Sequence, residues 1–228
     1  MLNTKVKHKD FKSGDQTKAD SLMASVYGMQ QITDAWFAQG LITLGSNRIT
    51  TNEKRRVSDN DYQIASGQYT SLSLGGEALG GYNYITEQMS ITPMGGIRLT
   101  RVNDGGYKES GTINQNLTIS RKTVNKAELV LGTKMARAAF ALNSLSITPE
   151  IHAFLNQYMI GKNPKVDMRL PGGGQVVNRT AKPTKTLLNT GVSLSATYNS
   201  IEYGLGYDAY LANKYIGHQG TLKIGVTF

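Results

Sequence analysis

The 228-residue sequence predicts an all-β, antiparallel meander, and three observations carry that reading. Glycine supplies 25 residues, a share above the roughly 7% usual in proteins and one that a helical bundle rarely tolerates. Apolar and polar residues alternate with a period of two in one segment after another. Turn residues then interrupt those segments at intervals that fold each strand back on the last. A chain of this length fits one all-β domain, spanning 1–228.

From the N-terminus, Met1 to Lys7 reads as the end of a strand, and Lys18 to Met29 as a strand whose two faces do not separate. Trp36 to Arg48 places Trp36, Ala38, Gly40, Ile42 and Leu44 on one face, with Gln39, Thr43, Gly45 and Asn47 on the other. Tyr69 to Tyr84, Met89 to Val102, Leu117 to Met135 and Ser146 to Asn156 follow. Thr190, Val192, Leu194, Ala196 and Tyr198 then alternate with Asn189, Gly191, Ser193, Ser195 and Thr197. Ile201, Tyr203, Leu205, Tyr207, Ala209 and Leu211 do the same against Glu202, Gly204, Gly206 and Asp208. Asn199-Ser200 between them reads as a two-residue hairpin turn, which pairs Tyr198 with Ile201 and Thr197 with Glu202. The last strand carries Leu222, Ile224, Val226 and Phe228 on one wholly apolar face. The total is about ten strand segments.

The connections alternate in length. Gln30 to Ala35, Ile85 to Gln88 and Asn199-Ser200 are short, whereas Asn47 to Tyr62, Asn103 to Asn116 and Gln157 to Thr184 are longer and more charged. The turn near Arg137 to Leu145 is the least defined. Tight turns at one end and long polar loops at the other are the pattern of an up-and-down transmembrane β-barrel. A soluble β-sandwich is the alternative.

Composition narrows the field further. No apolar run approaches the roughly 20 residues of a membrane helix, and the mean hydropathy is -0.33. A β-barrel is untouched by that test, because its lipid-facing residues alternate with polar ones. The absence of cysteine excludes disulfides, thiolate metal sites and a cysteine nucleophile. The start, MLNTKVKHKDFKSGDQTKADS, has no apolar core of a signal peptide. A net charge of +9 suits an anionic partner. Between Asn156 and Lys185 the cations Lys162, Lys165, Arg169, Arg179, Lys182 and Lys185 face one acid, Asp167, as a loop meeting lipopolysaccharide or a merely solvated loop would. With no basic helix and no aromatic stacking motif, nucleic acid is not an expected partner.

Three stretches carry a resemblance: YNYITEQMSITPMGGIRLTRVNDGGYKESG (Tyr82 to Gly111), ITPEIHAF (Ile147 to Phe154) and YDAYLANKYIGHQGTLKIGVTF (Tyr207 to Phe228). With VKHKDFKSGDQTKADS near the start, they resemble the translocator β-barrel of autotransporters, the type V secretion proteins, and most of all rickettsial surface-antigen autotransporters. The resemblance implies an outer-membrane pore and anchor, embedded in lipid and lipopolysaccharide, that exports its own passenger domain and is inserted by the barrel-assembly machinery through its terminal aromatic strand. It also implies an incomplete N-terminal side, with the passenger, the pore helix and the first strands absent, so that export of this product is doubtful. Met1 to Lys7 falls short of the roughly 9–11 residues of a crossing strand, and weak pairing is expected there.

On the face opposite the apolar one lie Glu77, Arg98, Glu128, Lys134, Glu150, His152, Glu202, Asp208 and Lys223, the polar lining of a lumen. Glu77 and Arg98 are expected as diagonal neighbours, and Asp208 and Lys223 as a similar pair across Asn213 to Gly217. Glu150 and His152 also suggest a carboxylate-histidine pair of an outer-membrane enzyme or adhesin, with Asp208 as a further acid. No nucleophile elbow, histidine cluster or phosphate loop accompanies them, so the chain reads as a non-enzyme without cofactor or metal. Trp36, Tyr82, Tyr84, Tyr198 and Tyr203 gather beside the short turns, as an aromatic girdle would.

Overall fold

The computed structural model describes residues 2–7, 15–59, 61–142, 144–160, 165–179, 185–213 and 215–226. Among these residues the strands are, in order, β1 (Leu2–Lys7), β2 (Gln16–Gln31), β3 (Trp36–Arg56), β4 (Tyr62–Tyr82), β5 (Tyr84–Ile85) and β6 (Met89–Asp104). Then come β7 (Tyr107–Lys108), β8 (Thr118–Ile119), β9 (Lys122–Arg137), β10 (Phe140–Leu142) and β11 (Leu145–Ile160). The last are β12 (Lys165–Arg169), β13 (Gln175–Arg179), β14 (Thr186–Tyr198), β15 (Ile201–Ala212) and β16 (Tyr215–Val226).

One large sheet runs β1-β2-β3-β4-β6-β9-β11-β14-β15-β16, with every neighbour antiparallel. This is the meander of ten strands that the alternation predicts. The Asn199-Ser200 turn holds as expected: Asn199 sits at φ 52°, a left-handed conformation asparagine accepts, and Thr197 pairs with Glu202 and Tyr198 with Ile201.

The sheet is curled, so that strands which are not neighbours reach one another across its inner face. Arg98 on β6 hydrogen-bonds Asn156 on β11, skipping β9, and His152 on β11 meets Asp208 on β15, skipping β14. Phe37, Leu79, Met94 and Val130 form the buried cluster on that face, with Phe154 against it. Glycines make room for the two rings. A Cβ on Gly81 would lie 2.3 Å from the Phe37 ring, and one on Gly132 2.3 Å from that of Phe154.

Several boundaries differ from those predicted. The segment Asn47 to Tyr62 is no long loop: β3 continues to Arg56, β4 begins at Tyr62, and a tight turn closes on the Val57 N–H donating to Asp61 O at 3.0 Å. Both faces are polar there, which hid the strand period. The 21 residues of β3 and β4 are about twice the roughly 9–11 needed to cross a bilayer, so the hairpin can project far beyond the wall. The strand expected from Leu117 is split into β8 and β9, and the turn near Arg137 to Leu145 carries β10 on β11. The final strand begins at Tyr215; Phe228 lies outside the described residues.

The longer connections also carry a second, four-stranded sheet, β13-β12-β8-β7, absent from the sequence reading. Its junction with the projecting hairpin is firmly built. Tyr107 stacks on Tyr69 at 4.9 Å, and the nearly buried Glu109 accepts from Arg55 at 2.8 Å and from the Leu117 N–H at 2.7 Å. Burial pushes the Tyr107 phenol up, against a smaller lowering from its hydrogen bond with Thr51.

Candidate functional site

The inner face is the candidate site, and cross-strand register decides what meets there. Glu77 stands directly opposite Arg98, not diagonal to it as expected. Arg98 donates to Glu77 through Nε at 2.7 Å and reaches Asn156 Oδ1 through Nη1 at 3.1 Å. On its other side Arg98 is in register with Glu128, which is nearly buried and pairs with Lys126 at 2.7 Å. Two carboxylates thus flank one guanidinium, with a buried amide closing the row. Lys134 borders the same cavity of about 300 Å³, shared with Gln39, Leu187 and Tyr210.

The second cluster corrects an expected pair. Asp208 does not meet Lys223; its carboxylate accepts from the His152 Nε2–H at 2.9 Å and from Asn189 Nδ2 at 3.2 Å. The reason is register. With β16 starting at Tyr215, Asp208 faces Gln219, while Lys223 falls opposite Gly204 and pairs with Glu202 at 3.1 Å. Gly191 lies between His152 and Asp208 in the ladder, and a Cβ there would come within 2.7 Å of the imidazole and 2.6 Å of the Tyr207 carbonyl. Only glycine lets the histidine lie across its neighbour strand. Glu150 shares the face with His152 and makes no pair with it. Among the described residues no group of three or more His, Asp or Glu side chains gathers as metal ligands would.

Asn156, Asn189, Gly191 and Lys126 are the members that sequence reasoning passed over. The amides show no chemistry of their own in a one-dimensional pattern, and a strand glycine reveals its purpose only when the residue crossing it is known.

The outer face has the opposite character. Ile42, Leu44, Leu72, Leu74, Ile97, Leu99, Leu131, Ile151, Val192, Leu205, Leu222 and Ile224 all project from it and are exposed. At its short-turn end lie Trp36 and Tyr82, in edge-to-face contact at 5.1 Å, with Tyr84, Tyr198 and Tyr203. An unbroken apolar band on this scale marks a surface made for contact. Combined with a polar inner face and crossing-length antiparallel strands, it defines the class: the wall of a transmembrane β-barrel.

Known proteins resolve the class further. The family model described as Autotransporter beta-domain matches residues 2–208. Outer membrane protein B of Rickettsia rickettsii is 36% identical over 237 residues, and Outer membrane protein A of Rickettsia conorii 32% identical over 233. These alignments take in 100% and 99% of this chain, which spans only 14% and 12% of those relatives. The translocator domain of the autotransporter NalP from Neisseria meningitidis superposes with a TM-score of 0.64 at 16% identity, covering 94% of this chain and 68% of that one. The chain belongs to the autotransporter β-domain family. Its fold is that of the NalP translocator domain, and the relatives it matches are outer membrane proteins.

Proposed function

We propose that residues 1–228 act as one β-domain that anchors a larger surface protein in the outer membrane and lines the route by which its passenger leaves, without enzymatic activity of its own. The observation that carries the reading is the division of the curled sheet into a bare apolar outer band and an inner face holding the Glu77-Arg98-Glu128 row and the His152-Asp208-Asn189 cluster. Glu150, Glu202 and Lys223 complete the lining, with Lys134 at its cavity. Trp36, Tyr82, Tyr84, Tyr198 and Tyr203 form the girdle at the interface beside the short turns. The strand Leu222 to Phe228 serves as the signal read by the barrel-assembly machinery, and lipopolysaccharide covers the outer leaflet around the wall.

Flotation with lipid vesicles tests the anchor. The refolded chain is expected to float and to resist carbonate extraction; recovery as a soluble monomer without detergent overturns the reading. In an exported version, Phe228→Ser is expected to reduce insertion far more than Lys223→Ser, and equal losses would remove the assembly signal. Replacing Glu150 and His152 together by Ala should leave any hydrolase activity of a preparation unchanged; loss of a reproducible activity would restore the enzyme reading.

A further inference from the structure

At the short-turn end of the wall, between the β5–β6 turn and the β9–β11 connection, lies an open cavity of about 730 Å³. Its apolar lining comes from Met89, Met135, Pro149, Phe140 and Ile151. Met89, Met135 and Ile151 all sit on the outward face, in the rows that continue from Tyr84 through Ile91. The groove is therefore level with the aromatic residues, where acyl chains give way to head groups.

Its charges are unusual for a lipid-facing surface. Arg137 closes β9 with its guanidinium 5.2 Å from the centre of the Phe140 ring, a cation-π contact that holds the cation in place. Glu87, in the turn before β6, lines the same cavity, while the Glu150 side chain belongs to the inner face with His152. Among the described residues Glu87 forms no salt bridge with Arg137 or with any other cation, although both border one space. A fixed cation and an anion that line one cavity complement a zwitterion better than a simple anion. A purely anionic head group would meet the Glu87 carboxylate beside the guanidinium, and a quaternary ammonium could not donate a hydrogen bond to it.

We propose that this groove is a binding site for a glycerophospholipid whose head group carries a phosphate and a primary amine, that is, a phosphatidylethanolamine of the leaflet at the short-turn end. The acyl chains lie over Met89, Met135 and Ile151, the phosphate on Arg137 and the ammonium at Glu87. The site rests on the membrane placement proposed above.

The 228-residue chain, refolded with vesicles of phosphatidylcholine alone or mixed with phosphatidylethanolamine or phosphatidylglycerol, is floated, extracted into mild detergent and weighed by native mass spectrometry. Phosphatidylethanolamine should be retained roughly fivefold or more over phosphatidylcholine at equal supply, the gain of one charge-assisted contact. R137Q should lose retention of all three lipids. E87Q should keep phosphate-bearing lipid yet lose the preference for ethanolamine over choline, and R101Q, at the other end of the wall, should match the unaltered chain. Equal retention of the ethanolamine and choline lipids by the unaltered chain, or full retention in R137Q, overturns the proposal. Flotation in every vesicle without any lipid preference removes the site and leaves the membrane placement standing. Failure to float in any of them removes both.

Discussion

The wall from β3 to β11 and the edge strand β2 belong to one antiparallel meander, yet their inward side chains end in opposite environments. On β9, Val130 points inward and is 1% exposed; on β2, Tyr27 points inward and is 83% exposed. The difference lies in neighbours. Val130 has a strand on each side and the curl of the sheet folding Phe154 and Met94 toward it, whereas beyond Ser21 no described strand pairs with the outer edge of β2. Alternation chooses a side chain's face, and the second neighbour together with curvature determines whether that face is covered.

The largest expected break in this comparison is at glycine. Gly132→Val would push a side chain into the Phe154 ring and the Ala153 carbonyl, and should destabilise the refolded chain by about 3 kcal/mol in urea unfolding from vesicles. Gly28→Ala on β2, where nothing lies within 4 Å of the added Cβ, should shift the same midpoint by no more than about 0.5 kcal/mol. Similar losses from the two would show that the edge is packed after all.

Removing apolar volume sharpens the contrast at a smaller scale. Val130→Ala is expected to cost about 2 kcal/mol through the cavity it leaves, and Val26→Ala, 76% exposed in the structure, only a fraction of that in the same assay. Polar pairs should rank the same way. Glu77→Gln deprives Arg98 of a partner held between three strands and should cost about 1–2 kcal/mol, whereas Glu202→Gln, in a solvent-open pair with Lys223, should cost under about 0.5 kcal/mol. A double-mutant cycle with the cationic partner of each isolates the two couplings.

The smallest effect lies outside the wall. Because Tyr107 has a raised pKa when folded, its contribution is complete below its ordinary value of 10.0 and declines as pH rises through the folded value. Protease nicking between Gly105 and Leu117 should therefore increase above about pH 10 in the unaltered chain. Y107F should show a flatter profile, and identical profiles would detach the tyrosine from the anchoring of that loop.

The sequence made the β14–β15 hairpin fully legible, since a two-residue turn and two clean alternations leave one register that puts Tyr198 beside Ile201. At β2 the same method failed for a physical reason: Met23, Tyr27 and Met29 lie inward while Leu22 and Val26 lie outward, so both faces are apolar and the period vanishes. The projecting ends of β3 and β4 failed in the opposite way, with polar residues on both faces. In the candidate site, Glu77 and Arg98 were found because a short turn fixes their strands. Asp208 was matched with the wrong partner because the loop before β16 was drawn too long, and four residues of register separate Gln219 from Lys223. The outer sheet left no trace, because strands of two to five residues are too short to show a period.

The six residues of β1 have a consequence in the arithmetic of direction. Seven strands lie between β2 and β16 in a strict meander, so those two strands point the same way and would meet only as a parallel pair. A ring in which every neighbour is antiparallel needs an even number of members. β1 restores that parity: it is the tenth strand on the path, it runs opposite to β2, and it presents to β16 a backbone of the matching sense. Its ladder reaches only from Gln16 to Ser21 of β2. The stretch from Met23 to Gln31 therefore presents amide and carbonyl groups that, at membrane depth, find neither water nor a described strand. Each such group costs several kcal/mol in lipid, so an all-antiparallel ring needs a strand along Met23 to Gln31 as well.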